Sequence, residues 1–210
     1  MDVWISQLFE NPVMTKMGHA QTAEDLNLGL GWIYYGLARA LRPSLAVVIG
    51  SYRGFVPLIL GKALQDNQNG DVIFIDPSFV DDFWTRPDGV ERHFREHGLT
   101  NVRHYLATTQ SFVKSPAFAA IGEVGLLYVD GYHSAAQARF DHEAFLPKLS
   151  PEAVVLFHDS VRKRQSRIYG EAYEHTVCEY MDALREDSGY DVLAMPEGDG
   201  LTAVRRRSQA

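Results

Sequence analysis

Leu45-Ala46-Val47-Val48-Ile49 runs directly into Gly50-Ser51-Tyr52-Arg53-Gly54, and the rest of the chain is read outward from this stretch. Five apolar residues closed by glycine predict a buried parallel strand. The segment from Phe55 to Asp66 predicts a helix. A strand passing through a Gly-bounded turn into a helix start lets backbone N–H groups come close to a ligand. The spacing is G-x-x-x-G, which is neither the G-x-G-x-x-G of dinucleotide sites nor the G-x-x-x-x-G-K-[ST] of phosphate loops.

Upstream, the spacing of Leu26, Leu30, Ile33, Leu37 and Leu41 predicts a helix over 22–41, with Thr22 as N-cap and Asp25 three residues later. Downstream, strands are predicted at 71–75, 101–106, 125–129 and 153–157. They alternate with helices at 89–97, 110–120, 134–149 and 166–185. Two further strands, 190–194 and 201–205, are joined by the polar turn Pro196-Glu197-Gly198-Asp199-Gly200. Five β-then-α repeats and a terminal hairpin define an α/β fold: a doubly wound, mostly parallel seven-stranded sheet with helices on both faces and a C-terminal antiparallel hairpin. Residues 22–207 are expected to form a single domain and residues 1–21 an N-terminal extension. Trp4, Ile5, Leu8 and Phe9 suit a short amphipathic helix that packs on the body, or on a second subunit of a homodimer.

The 210 residues are 46% hydrophobic and 22% charged, with a formal net charge of −7, which argues against a general nucleic-acid binder. The basic clusters Arg162-Lys163-Arg164 and Arg205-Arg206-Arg207 read as solvated loop and tail. One cysteine, Cys178, excludes an internal disulfide and reads as a small core residue in mid-helix. No stretch is apolar enough to span a membrane, and Met1 to Glu10 lacks a signal peptide's pattern, so a cytoplasmic protein is expected.

The chemistry gathers at strand ends. Gly50, Asp76, Asp130 and His158-Asp159 each follow an apolar run, at the carboxyl ends where open parallel sheets bind ligands. Asp76, one βα unit after the glycine turn, is placed to accept hydrogen bonds from two ribose hydroxyls. The alternative is an Asp that caps its own turn beside Pro77. Asp130, His133, His158 and Asp159 form a second constellation. Carboxylates suit hard cations, and an added imidazole tilts the set toward a transition metal. Alternatively, Asp130 and Asp159 orient loops and His158 is a hydrogen-bonded rim residue. His93, His97, His104, His142 and His175 receive no role. Phe79, Phe83 and Trp84 line an acceptor pocket or simply pack on the sheet.

V-I-G-S-Y-R-G, the I-D-P after the second strand, L-Y-V-D-G-Y-H-S and V-L-F-H-D resemble, in order, the landmarks of class I S-adenosylmethionine-dependent methyltransferases. The branch they are most similar to is the small-molecule group described as methyltransferase domain 24. The resemblance implies a Rossmann-like methyltransferase. Gly50, Ser51, Tyr52 and Gly54 would line the methionine part of S-adenosylmethionine, Asp76 would hold its ribose, and Thr108 or Thr109 would sit near adenine. Asp130 would count among both the cofactor contacts and the catalytic groups. Some related O-methyltransferases hold a divalent metal with carboxylates at the positions of Asp130, His158 and Asp159. Methyl transfer to an oxygen, less readily a nitrogen, of a small molecule follows, with His133 as candidate general base.

Relatives usually carry an acidic residue where this chain has Val48, and Gly-Gly where it has Glu152-Ala153. The first departure removes a carboxylate expected near the cofactor's amino group. It keeps open a non-catalytic or degenerate ligand-binding protein on the same fold. A nucleotide-binding oxidoreductase is the other alternative, although the glycine spacing does not favour it.

Overall fold

The computed structural model describes residues 1–168 and 171–207. Strands β1 (Leu45–Ile49), β2 (Asp71–Ile75), β3 (Val102–Tyr105), β4 (Val124–Val129) and β5 (Leu149–His158) are parallel. β8 (Tyr190–Met195) and β9 (Leu201–Arg206) are antiparallel, with β9 paired to β5. The order β3-β2-β1-β4-β5-β9-β8 makes the expected seven-stranded sheet. The chain winds from β1 toward β3 on one side and resumes at β4 on the other. A crevice therefore opens beyond Ile49, where Gly50 N–H donates to Ile75 O at 2.9 Å and Asp130 N–H donates to Ile49 O at 2.8 Å.

Alternation along β1 divides its side chains between two cores. Ala46 and Val48 face the layer of α2 (Gly31–Leu41), α3 (Phe55–Asp66) and α4 (Pro87–Glu96). Val47 and Ile49 face the layer of α7 (Ala135–Phe145) and α8 (Val177–Glu186), with the short α5 (Thr109–Phe112) and α6 (Pro116–Ala120) beside it. Val48 is fully buried, in register with Phe74 on one side and Tyr128 on the other.

α1 (Asp2–Phe9) packs on its own domain: Ile5, Leu8 and Phe9 join the α2–α3 core, and Trp4 Nε1–H donates to His97 O at 3.0 Å. Among the described residues, no helix is long and apolar enough to cross a membrane.

The helix predicted at 110–120 is split into α5 and α6, with Ser115 capping the second, and two other predicted helices are corrected. The first begins at Gly31 rather than Thr22, because residues 22–30 fold as a turn closed by a bridge between Thr22 and Asn27. Leu26 and Gly29 take left-handed backbone angles there, and a Cβ at Gly29 would come within 2.1 Å of His19 O. The second, predicted at 166–185, is a hairpin followed by a helix: β6 (Arg164–Ile168) and β7 (Glu171–His175) pair antiparallel, and only Val177–Glu186 is helical. Tyr169 and Gly170, part of the predicted helix, lie outside the described residues. Cys178 consequently stands near the start of α8, only partly buried, and is not a core residue.

Candidate active site

The crevice at Ile49 is a cavity of about 340 Å³, a size typical of small-molecule sites. Its floor is the β1–α3 turn. Gly50 has φ +72°, and a Cβ there would stand 2.3 Å from Asp130 O, so only glycine lets the β1 and β4 ends approach this closely. Ser51 and Tyr52 continue the wall. Gly54 faces Trp84, where a Cβ would meet the indole at 3.0 Å, and stands outside this lining.

Asp76, at the end of β2, lines the cavity and ties two loops together. Ser51 N–H donates to its Oδ2 at 3.2 Å and Ser78 N–H to its Oδ1 at 2.7 Å. Burial raises its pKa, and those two backbone bonds oppose the rise. Each carboxylate oxygen has a second lone pair for a ligand hydroxyl, so the ribose and turn-capping readings both fit this geometry.

At the other end, Thr108 caps α5 and Thr109 is buried beside Asp141. Gln110 Nε2–H donates to Gln137 Oε1 at 2.8 Å, and Gln137 Nε2–H to Asp141 Oδ1 at 2.7 Å, fastening the loop after β3 to α7. Asp141 Oδ2 has no donor, and burial pushes the carboxyl pKa up to about 6. Sequence reading passed over Asp141, whose one signal is a carboxylate on the apolar face of an otherwise ordinary helix.

Asp130 and His133 line the same cavity from the end of β4. His133 Nδ1 approaches Asp159 Oδ2 to 3.0 Å, although the line is poor for a ring N–H, and stands 3.7 Å from Asp130 Oδ1. Tyr52, Ser78, His133 and Asp159 all have positive φ (37°, 58°, 25° and 54°) in strand-end loops around the crevice, a clustering of backbone strain usual at functional sites.

His158 and Asp159 lie behind this wall, outside this cavity's lining, and are 4% and 1% exposed. His158 Nδ1 is 3.2 Å from Asp130 Oδ1. Burial opposes a charged imidazole here, but Asp130 first, then Asp159 and Asp199, outweigh it and raise the His158 pKa. The His19 ring lies 4.4 Å from that of His158, tilted by 51°, and burial and that neighbour lower its own pKa.

Arg164 was expected to be a solvated loop residue. Instead, its Nε–H donates to Asp159 Oδ1 at 2.8 Å and its Nη2–H to Oδ2 at 2.9 Å. His175, given no role from sequence, places Nδ1 2.9 Å from the same Oδ2, while its Nε2 meets Ser166 Oγ at 2.7 Å. The pairings Arg164–His175 and Ser166–Tyr173 put all four side chains on one face of the β6–β7 hairpin. Tyr173 OH donates to Tyr132 O at 2.9 Å, closing the hairpin over the β4 loop. Although burial alone would raise it, contacts from His133 and Arg164 hold the Asp159 carboxyl well below the usual range. The missed signal was the alternation of Arg164 with Ser166 and of Tyr173 with His175, which suits two strands better than a helix.

The expected metal set does not fit. The ligand atoms of Asp130, His158 and Asp159 lie within 4.8 Å of one another, and Asp130 Oδ1 lacks an aligned donor. Both Asp159 oxygens, however, are already held by a guanidinium. Two like unit charges about 4 Å apart repel by about 4 kcal/mol at an effective dielectric of about 20, and a divalent ion doubles this.

A methyltransferase-domain model, methyltransferase domain 24, matches residues 47–160, and the chain belongs to that family. Its fold is that of class I S-adenosylmethionine-dependent methyltransferases. The S-adenosylhomocysteine-bound methyltransferase PaMTH1 of Podospora anserina superposes with a TM-score of 0.69 at 17% identity, covering 99% of this chain and 89% of that one. The O-methyltransferase TomG of Streptomyces achromogenes, involved in tomaymycin synthesis and solved with S-adenosylmethionine, gives 0.67 at 16% identity, covering 97% and 88%. An O-methyltransferase from Bacillus cereus, in complex with S-adenosylhomocysteine, gives 0.70 at 12%, covering 99% and 92%. Among curated relatives, the uncharacterized protein y4gI of Sinorhizobium fredii (strain NBRC 101917 / NGR234) is 30% identical over 136 residues. That match covers 61% of this chain but only 15% of y4gI, so the chain spans a small part of that relative.

Proposed function

We propose that the β1–β4 crevice binds S-adenosylmethionine and that the protein transfers its methyl group to an oxygen of a small-molecule acceptor. The observation that carries the reading is one cavity in which Gly50, Asp76, Thr109, Asp130 and His133 converge from four strand ends. Its volume and the Gly50 cradle suit a ligand of this size lying across the switch point.

When bound, the cofactor supplies an electrophilic methyl carbon on a sulfonium centre. The turn at Gly50 to Tyr52 borders the methionine end, Asp76 accepts the ribose hydroxyls, and the Thr108–Gln110 loop flanks the adenine. His133 takes the acceptor hydroxyl's proton. Asp159 positions that imidazole and stabilises its charge, as Arg164 and His175 position Asp159. Most of the rate advantage in such a site comes from orientation.

Tyr52, Phe79, Val80 and Tyr132 are exposed around the mouth, which supports an acceptor with an apolar or planar body. The net charge of −7 favours this over nucleic acid, and the single cysteine suits the cytoplasm. Val48, the motive for a non-catalytic reading, lies in the core rather than in the cavity wall. Titration calorimetry with S-adenosylmethionine and S-adenosylhomocysteine tests the proposal. Saturable heat is expected; no heat at high concentration, or tight NADH binding instead, would overturn it.

A further inference from the structure

We infer that Arg164 is the resident cation of Asp159: its guanidinium occupies on that carboxylate the place of a divalent metal, and the β6–β7 hairpin thereby makes the site metal-free.

Distance does not keep a metal out, because Asp130, His158 and Asp159 bring their ligand atoms within 4.8 Å of one another. Occupation and charge do. The planar fork of Arg164 meets both oxygens of a carboxylate that is 1% exposed, at 2.8 and 2.9 Å, the two-pronged geometry at which arginine excels. His175 adds a third contact, to Oδ2, from the opposite strand of the hairpin. Arg164 Nη2 also stands 3.4 Å from Asp199 Oδ2, so a second carboxylate anchors the guanidinium from the β8–β9 turn. A metal bound to Asp159 would have to share that carboxylate with a positive charge held by two acidic residues. Hard divalent ions need carboxylate oxygens free of such competition.

The inference concerns the same site as the methyl-transfer reading, and rests on it for its consequence in catalysis, but metal binding is measured without cofactor or acceptor. The two can therefore fail separately. The probe is Mn²⁺, followed by electron paramagnetic resonance as loss of the free-ion signal, with far-ultraviolet circular dichroism as the folding control.

The parent protein is expected to bind no stoichiometric Mn²⁺ at millimolar concentration. Arg164→Ala should acquire one site, tightening affinity at least tenfold, and Arg164→Gln, which keeps a neutral donor on Asp159, should show a smaller gain. Adding Asp159→Asn to Arg164→Ala should abolish the gain. One tightly bound Mn²⁺ in the parent would overturn the inference. So would folded Arg164→Ala and Arg164→Gln proteins that bind no better than the parent. If neither variant folds, the parent titration decides alone: absence of a site supports the inference and a stoichiometric site refutes it.

Discussion

His133 and Asp159 stand at the ends of neighbouring strands, both in left-handed backbone conformations, with His133 Nδ1 3.0 Å from Asp159 Oδ2. In the proposed reaction the second ring nitrogen of His133 is the proton acceptor. Removing a positioned general base typically costs about 10²–10⁴ in rate. His133→Ala should therefore lower kcat by roughly that factor while leaving S-adenosylhomocysteine affinity within about twofold. Stopped-time methyl-transfer assays and calorimetry on the same preparation check this. An equal loss in both quantities would make His133 a structural residue.

Asp76 joins the β1 and β2 loops through Ser51 and Ser78 as well as facing the cavity. Were Asp76 only a ligand contact beyond the core, Asp76→Ala would weaken cofactor binding and spare stability. The two backbone bonds revise the second half. Each hydrogen bond to a charged group is worth about 1.5–3 kcal/mol, so the variant should lose at least tenfold in cofactor affinity and also melt at a lower temperature. Unchanged affinity alongside a lowered melting temperature would leave Asp76 a turn residue only.

Asp141 provides a pH test. Its folded-state pKa is raised to about 6, first by burial, against hydrogen bonds from Thr109 and Gln137. The folded protein thus binds this proton more tightly than the unfolded chain. The resulting stability is fully present below about pH 4 and is lost as pH rises through about 6, at most about 3 kcal/mol for a shift of about two units. Asp141→Asn removes the ionisation. Its melting temperature should exceed the parent's at pH 8, and the gap should narrow toward pH 4. A gap independent of pH would contradict the assignment.

Gly50→Ala would place a methyl 2.3 Å from Asp130 O at a φ of +72°. Left-handed strain alone costs about 1–2 kcal/mol, and the clash with backbone adds to it. Denaturant unfolding should show a loss of at least about 2 kcal/mol and calorimetry no cofactor binding. A stable variant that binds normally would show that β1 and β4 need not approach so closely.

The sheet was legible because its central strands are buried on both faces and so appear as uninterrupted apolar runs, each closed by a glycine or a polar residue. Gly50, Asp76 and Asp130 end three of these runs, and they line the crevice together with His133. The segment around Leu26 and Gly29 was not, because its apolar spacing imitates a helix while contact with His19 O imposes a turn. Arg164 and His175 were hidden for a related reason. Their hairpin is polar, and its alternating face reads as a solvated basic loop until Asp159 is placed opposite it.

A crystal of the protein grown with saturating S-adenosylhomocysteine puts the whole reading at risk. The expected density lies across the β1–β4 crevice, with the ribose hydroxyls on Asp76, the adenine against the Thr108–Gln110 loop and the sulfur directed toward Asp130 and His133. Density elsewhere, or an empty crevice at saturating ligand, would contradict the assignment of this cavity as a methyl-donor site.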